Sequence, residues 1–240
     1  MRLYSYIVAR DYGFAPNPFH GYCTLATCKP RIRAKAMVGD WIVGTGAKTK
    51  YNLAGHLIYA MKVTEILNYD AYWNDPRFLC KRPVLNGSLK LIYGDNIYHQ
   101  NGHQWVQTNS HHSLKSGEPN PRNIARDTTA DRLLVSTEFI YWGCAAPPIP
   151  NLFRSFRKTS AATSEDICCR RQGHKVRSEE LAVALEQWVA STGRWGIQGL
   201  PLEFGAHQRA GRVLTTESRS QGRPGDKIRD PRVANRRSTS

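Results

Sequence analysis

The chain has 240 residues, of which 40% are hydrophobic and 22% are charged, as expected for a folded protein with a substantial core. Its longest apolar stretch, Phe139 to Pro150, is interrupted by prolines and is too short to cross a bilayer, which takes about 20 apolar residues. The first residues have no small-residue cleavage site and are interpreted as a strand, not a signal peptide. We therefore predict a cytoplasmic protein with no membrane partner.

Positive charge runs through the whole chain. Lys and Arg total 34 against 19 Asp and Glu, for a net charge of +15. Residues 206–240 contain nine basic and three acidic residues, so residues 1–205 remain basic without them. This excess predicts a polyanionic partner, a nucleic acid or nucleotide, whose phosphates would make binding depend on salt. A basic surface that serves solubility alone is the alternative.

The N-terminal half of the sequence indicates strands. Residues 1–10 alternate with apolar side chains on both faces, as in a buried strand, and the Pro-rich residues 11–19 form a loop. Further strands are predicted at Trp41–Val43 and His56–Ile66, and a helical turn is predicted at Asp70–Trp73. The first half is therefore mostly extended.

The second half adds one helix to shorter strands. The helix begins after Ser178, a good capping residue, and has apolar residues at i, i+4, i+7 and i+8 from Leu181. Residues 206–240 have little apolar content and are predicted to be a disordered basic tail, which leaves one α+β domain over residues 1–205. The shorter strands are predicted at Leu89–Tyr93, Leu133–Val135 and Phe139–Trp142.

A glycine-rich segment, Gly44-Thr45-Gly46-Ala47-Lys48, follows the strand predicted at Trp41–Val43. The backbone N–H groups around Thr45 and the ammonium of Lys48 could bind a phosphate. The spacing is not that of a Walker loop, however. An ordinary glycine-rich turn with a surface lysine is the alternative interpretation.

Gly94-Asp95-Asn96-Ile97-Tyr98-His99 is dense in hydrogen-bonding groups. Asp95 and Asn96 could recognise the edge of a base, and Tyr98 could stack on it. The alternative is a turn in which the Asp and Asn side chains bond to nearby backbone.

The segment from Trp73 to Phe78 combines aromatic surface with charge. Trp73 could stack on a base, while Asp75 and Arg77 could bond to its edge or its phosphate. A packed aromatic corner is the alternative.

Four histidines lie close together in the central region: His99, His103, His111 and His112. Such a group predicts acid–base chemistry, ligand contact or structural hydrogen bonds. Their spacing matches no standard zinc pattern, and neither a metal nor another cofactor is predicted.

None of the six cysteines forms a C-x-x-C pair, and reduced thiols are expected in a cytoplasmic protein. Cys168 and His174 could supply a nucleophile and a base. No third member of such a site is evident in the sequence.

Longer motifs point to a family. The chain resembles the bacterial and phage family called nucleotide modification associated domain 2 over residues 1–205, through the segments LYSYIVARDYGFAPNPF, GYCTLATCKPRIR, VGDWIVGTG, YWNDPRF, GDNIYH, SHHS and DICCRRQGHK. The resemblance implies association with systems that make or handle modified DNA bases, and DNA-modification enzymes as partners. It assigns no catalytic residue.

A fold-level resemblance is also visible. Val38-Gly39-Asp40-Trp41-Ile42-Val43, followed by a strand that ends in Val63-Thr64-Glu65, is similar to the PUA-like superfamily with its EVE and ASCH branches. This resemblance implies a small β-barrel core with long loop insertions, and an aromatic pocket that holds a flipped modified base. Fold analogy alone does not fix function.

The leading hypothesis is recognition of a modified base or nucleotide, with DNA as the partner, in a DNA-modification or phage-defence context. An enzyme that modifies or hydrolyses a nucleotide or base is the first alternative, with Asp95, His99, His111 and His112 as acid–base groups. A non-catalytic interaction module is the second. For the leading hypothesis, the ligand-binding candidates are Tyr6, Trp41, Thr45, Lys48, Trp73, Asp75, Arg77, Asp95, Asn96 and Tyr98.

Overall fold

A computed structural model describes residues 1–48, 51–159, 164–169 and 173–205. The strands are β1 (Leu3–Val8), β2 (Cys23–Leu25), β3 (Trp41–Gly46), β4 (Leu57–Lys62), β5 (Glu65–Leu67), β6 (Tyr98–Asn101), β7 (Gln104–Gln107), β8 (Leu133–Ser136), β9 (Glu138–Tyr141), β10 (Phe156–Arg157), β11 (Ser164–Glu165), β12 (His174–Arg177) and β13 (Gly196–Ile197). The helices are α1 (Pro30–Arg33), α2 (Tyr69–Asn74), α3 (Leu89–Ile92), α4 (Pro121–Asp127), α5 (Asn151–Arg154) and α6 (Glu179–Ser191), with 3-10 turns at Pro76–Lys81 and Gly143–Ala145.

The main sheet is mixed and open. Its strand order in the described part of the chain is β12-β1-β3-β4-β9-β13, with parallel pairs at β1–β3 and β9–β13. The edge strands β12 and β13 do not pair with each other, so the sheet does not close. The predicted α+β class is confirmed, whereas the closed barrel implied by the PUA-like resemblance is not formed by this sheet.

A smaller sheet, with the order β2-β8-β5, continues from the main one. β4 and β5 follow each other in the chain, as do β8 and β9. Because β4 pairs with β9 in the main sheet and β5 pairs with β8 in the smaller one, both antiparallel, the same two chain segments run through both sheets. The strand predicted at His56–Ile66 therefore exists but bends. The bend lies at Val63 and Thr64, whose N–H groups donate to Asp40 and Val135 respectively.

Both faces of β1 are buried, as predicted from its apolar alternation. Leu3 packs with the apolar stripe of α6, whereas Tyr4 and Tyr6 pack in the core on the other face. The predicted helix is confirmed as α6: the Ser178 hydroxyl accepts a hydrogen bond from the Leu181 N–H.

One predicted strand is wrong. Leu89–Ile92 forms α3, because the backbone N–H groups of Leu91 and Ile92 donate back to the Ser88 carbonyl. A five-residue apolar run cannot distinguish a short helix from a strand by periodicity. The predicted tail, residues 206–240, lies outside the described residues. No helix among the described residues is long and apolar enough to cross a membrane.

Candidate functional site

Cys28 lies in the turn between β2 and α1, in a strained backbone. Its φ is 56° and that of Lys29 is 42°, so two consecutive residues with side chains adopt the left-handed conformation, at a cost of order 1–3 kcal/mol each. Contacts at both ends hold Cys28 in place. Its N–H donates to Oδ1 of Asp127 at 3.1 Å, and its carbonyl accepts from Nε of Arg33 at 2.9 Å. The turn therefore presents the thiol in a fixed position.

His112, in the loop after β7, lies against this thiol. Its Nε2 is 3.7 Å from Sγ of Cys28, and its Nδ1 is 2.7 Å from Oδ2 of Asp127. Asp127, at the end of α4, is fully buried, and His112 is 9% exposed. Each ring nitrogen thus contacts one partner, which is the arrangement of a nucleophile, a base and a group that orients the base. We call Cys28, His112 and Asp127 the thiol triad.

His112 and Asp127 form a charged pair at neutral pH. Burial lowers the pKa of His112, but the hydrogen bonds with Asp127 and Cys28 outweigh burial and raise this pKa to about 9. Burial also raises the pKa of Asp127, but hydrogen bonds from His112 and Arg126 bring it below its usual range. A cationic imidazole beside a thiol is the setting in which cysteine nucleophiles act as thiolates.

Further hydrogen bonds hold the carboxylate of Asp127. Nε of Arg126 donates to Oδ1 at 3.0 Å, and the hydroxyl of Tyr98 donates to Oδ2 at 3.1 Å. Nε2 of Gln107 donates in turn to the Tyr98 hydroxyl at 3.0 Å. Every oxygen of this buried carboxylate is therefore bonded, which fixes its orientation toward His112.

Arg33 joins the two chain segments of the thiol triad. Its guanidinium is fully buried and donates to the backbone carbonyls of Cys28, Asp127, Ala130 and Arg132. Because these carbonyls lie on both sides of the site, Arg33 fixes the distance between the Cys28 turn and the end of α4.

The same three side chains could also be considered as metal ligands, since their donor atoms lie within 4.8 Å of one another. However, Cys28 and Asp127 contact opposite nitrogens of the His112 ring. A single ion at Nε2 would have His112 and Cys28 as ligands and Asp127 only as an outer partner. Among the described residues no other cluster supplies more ligands, whereas zinc sites use three or four. The geometry therefore fits a triad better than a metal centre.

Aromatic rings adjoin His112. The Phe14 ring centroid lies 4.6 Å from that of His112, and the exposed His111 ring lies 4.4 Å from Tyr12 and 5.2 Å from Tyr93. Tyr12 and Tyr93 stack on each other at 5.0 Å. We call Tyr12, Phe14, Tyr93 and His111 the aromatic wall. Phe14 and Tyr93 are buried, so the ring surface on which a base could stack comes from Tyr12 and His111.

Asp95 and Asn96 lie elsewhere, in a fully buried network. Asp95 accepts hydrogen bonds from the hydroxyls of Thr24 at 2.6 Å and Tyr72 at 2.8 Å. Thr24 also accepts from the buried ammonium of Lys81 at 3.1 Å. Nδ2 of Asn96 donates to the backbone carbonyls of Tyr72 and Phe78. These groups bind other parts of the protein. The partners Thr24, Tyr72 and Phe78 are distant in sequence, so these bonds are not those of the local turn in the alternative interpretation.

Trp73 and His99 stack on each other, with ring centroids 4.1 Å apart. The Arg82 guanidinium also lies 3.7 Å from the Trp73 ring centroid, so protein groups already use this ring surface. Arg77 forms ion pairs with Asp75 at 2.6 Å and Glu65 at 2.8 Å, which neutralise its charge. This corner fits the alternative of a packed aromatic cluster.

The remaining candidates divide between core, surface and the thiol triad. Trp41 is fully buried against α6, and the Thr45 hydroxyl donates to the Tyr6 carbonyl at 3.2 Å. Lys48 is exposed. Tyr6 is buried next to Lys29, and burial raises the pKa of its hydroxyl. Of the sequence-predicted residues, the structure therefore brings Tyr98, His111 and His112 together, whereas Tyr6 contacts Lys29, the neighbour of Cys28.

Cys168 and His174 do not form the predicted nucleophile–base pair. No contact joins their side chains among the described residues, and the Cys168 N–H donates to Asp166. Burial raises the pKa of Cys168 to about 11, which disfavours its thiolate.

Sequence reasoning missed three of the residues that build the site. Cys28 carries one available signal, because Cys28-Lys29-Pro30 lies at a strand-to-helix turn, where nucleophiles occur in other folds. Asp127 and Arg33 have no local signal, since their roles depend on partners far away in sequence.

Residues 1–208 match the model of a family described as nucleotide modification associated domain 2. This match confirms the resemblance carried by the sequence motifs. No curated protein and no solved structure matches the chain, so the PUA-like resemblance stays a prediction.

Proposed function

The chain belongs to the nucleotide modification associated domain 2 family, and from that premise we propose that it is an enzyme acting on a base or nucleotide through the thiol of Cys28. The family description supports a nucleotide-modification context. The finer setting, a modified base of DNA in a DNA-modification or phage-defence system, remains the one inferred from the sequence.

The thiol triad is the observation that carries this proposal. Nε2 of His112 lies 3.7 Å from the Cys28 sulfur, and its Nδ1 lies 2.7 Å from the Asp127 carboxylate. The longer of these distances suits a catalytic pair, because catalytic hydrogen bonds are often longer without substrate. An aromatic pocket with no proton-transfer pair would favour a protein that only binds its ligand. Here the aromatic wall adjoins a thiol, an imidazole and a buried carboxylate, which favours the enzyme.

The chemistry fits substrates with an sp² carbon that carries a leaving group, such as an exocyclic amine or an amide on a base. The Cys28 sulfur forms a bond to this carbon while the Nε2 proton of the cationic His112 passes to the departing group as its bond breaks, and the proton that the thiol loses replaces it on Nε2. Water then adds to the carbon and the bond from sulfur to carbon breaks. One water proton returns through His112 to the thiolate. The balance is one water consumed per substrate cleaved.

The proposal is tested first by site-resolved alkylation. Iodoacetamide at pH 6.5, followed by peptide mass spectrometry, is expected to modify the half-buried Cys28 at least tenfold faster than the exposed Cys144. The His112→Ala variant should lose that difference, whereas Cys144 in the same sample provides the internal reference. Equal rates for Cys28 and Cys144 in the native protein would argue against an activated thiol.

The second test concerns turnover. Native protein and Cys28→Ala are incubated with 5′-nucleotides and oligonucleotides that carry aminated or acylated bases, and the products are measured by mass spectrometry. Native protein is expected to release the substituent with uptake of water, while Cys28→Ala is inactive and Cys144→Ala retains activity. Ligand binding without turnover by native protein would instead favour the base-recognition hypothesis, and absence of both would favour an interaction module.

A further inference from the structure

Lys29, next to Cys28, has no anionic partner among the described residues. Its ammonium lies 4.4 Å from the Tyr6 ring centroid and is partly buried. Burial lowers the pKa of Lys29, while negative charge on Cys28 and Cys169 would raise it. Withdrawing an ammonium from water without a counter-charge costs free energy, and a bound anion would recover part of that cost.

His174 links Lys29 to two further basic residues, Arg31 and Lys35. In the β1–β12 pair, His174 lies opposite Tyr6, and the His174 ring is 6.2 Å from that of Tyr4. The Tyr4 hydroxyl donates to the carbonyl of Lys35, which places α1 over this pair. Burial is the largest cause that lowers the pKa of His174, and the positive charges of Lys29, Arg31 and Lys35 lower it further. We call Lys29, Arg31, Lys35 and His174 the basic cluster.

The basic cluster differs from the corner at Arg77 in how its charge is compensated. Among the described residues, no carboxylate pairs with Lys29, Arg31 or Lys35, whereas Arg77 is neutralised by Glu65 and Asp75. The basic cluster also begins at the residue that follows the thiol. It therefore combines uncompensated positive charge with immediate proximity to Cys28.

We infer that the basic cluster binds a phosphate of the substrate, so that Cys28 acts on a nucleotide or a polynucleotide and not on a free base or nucleoside. This inference rests on the proposed function for the role of Cys28. Charge-assisted contacts from Lys and Arg to phosphate oxygens supply affinity without reading the base. The phosphate would thus anchor the substrate, and the reacting carbon would lie toward the thiol and the aromatic wall.

The test measures binding of two phosphate probes, a fluorescein-labelled oligothymidine of twelve nucleotides and thymidine 5′-monophosphate, with thymidine as the phosphate-free reference. Lys29→Gln is compared with Lys90→Gln, which removes the same charge from an exposed lysine that lies over the Phe19 ring. Lys29→Gln is expected to weaken binding of the probes at least tenfold, and Lys90→Gln less than twofold. If Lys29→Gln binds both probes more weakly, the site is one for a mononucleotide. If it binds only the oligonucleotide more weakly, the substrate is a polynucleotide.

Two outcomes would overturn the inference: equal binding by native protein and Lys29→Gln, or no binding of either probe by native protein. Should Lys29→Gln fail to fold, lysine acetylation of the native protein replaces it, and the oligonucleotide should protect Lys29 but not Lys90. The alkylation rate of Cys28 reports on the thiol, whereas probe binding by Lys29→Gln reports on the phosphate site. Failure of the thiol chemistry and failure of the phosphate site are therefore distinguishable.

Discussion

The sulfur of Cys28 lies 3.7 Å from Nε2 of His112, although 84 positions separate the two residues. The carboxylate of Asp127 explains how they meet, because Oδ1 accepts from the Cys28 backbone N–H and Oδ2 contacts Nδ1 of His112. One buried acid therefore positions both the thiol and its partner base.

Asp127→Asn should abolish most of the thiol reactivity while retaining the fold. The neutral amide no longer stabilises the cationic His112, and an amide N–H directed at Nδ1 favours a neutral ring with its proton on Nε2. Such a ring can neither give up that proton readily nor accept the thiol proton. Turnover is expected to fall by about 10²- to 10⁴-fold, and Cys28 alkylation should slow to the rate of Cys144. Activity of this variant near the native level would show that Asp127 only supports structure.

The pH dependence of stability follows from the His112 pKa. This pKa is raised in the folded state to about 9, from about 6.5 in the unfolded chain, so its stabilising contribution is complete below about pH 6.5 and is lost as pH rises through 9. The difference corresponds to about 3 kcal/mol. In urea unfolding, the free energy of unfolding of native protein should exceed that of His112→Gln. This difference should be largest at pH 6 and smallest at pH 9.5.

His103→Gln serves as the control for that series, since it removes an exposed histidine outside the triad and outside the aromatic wall. Its stability difference from native protein should change little between pH 6 and pH 9.5. A gap between native protein and His112→Gln that stays constant or widens with pH would contradict the charged His112–Asp127 pair.

Local patterns predicted those elements whose residues carry their own signal. β1 and α6 followed from apolar spacing and from the Ser178 cap, because both depend on neighbours along the chain. The bend at Val63 did not follow, since tertiary hydrogen bonds decide it. The helix at Leu89 did not follow either, because its run is too short for periodicity to distinguish a helix from a strand. His112 was chosen from the histidine group without its partners, because Cys28 and Asp127 join it only through the packing of three separate loops.

Arg33 is expected to be a positioning residue. Arg33→Met keeps an unbranched chain but removes the donors to the carbonyls of Cys28, Asp127, Ala130 and Arg132. Buried acceptors left without partners cost about 1–3 kcal/mol each, so the melting temperature should fall clearly. At a temperature where the variant remains folded, kcat should decrease more than KM changes, because the thiol triad loosens while the aromatic wall stays. A variant with native stability and kcat would contradict this role.

The buried network around Asp95 yields the last prediction, which contrasts with a base-reading role. Lys81 and Asp95 are both fully buried and share the Thr24 hydroxyl between them. Burial raises the pKa of Asp95, and the Lys81 charge acts in the opposite direction. Asp95→Asn leaves the Lys81 ammonium without its balancing charge, and removing one partner of a buried pair typically costs about 3–5 kcal/mol.

Asp95→Asn should therefore lower the free energy of unfolding by several kcal/mol, whereas Glu118→Gln, at an exposed position, should change it by less than about 0.5 kcal/mol. Adding Lys81→Met to Asp95→Asn should cost less than the sum of the two single changes, because no unpaired charge remains in the core. A base-reading role for Asp95 predicts the opposite pattern, in which Asp95→Asn melts like native protein but loses ligand affinity. Urea unfolding of the four variants beside nucleotide binding separates the two, since only the structural role couples Asp95 to Lys81 in stability.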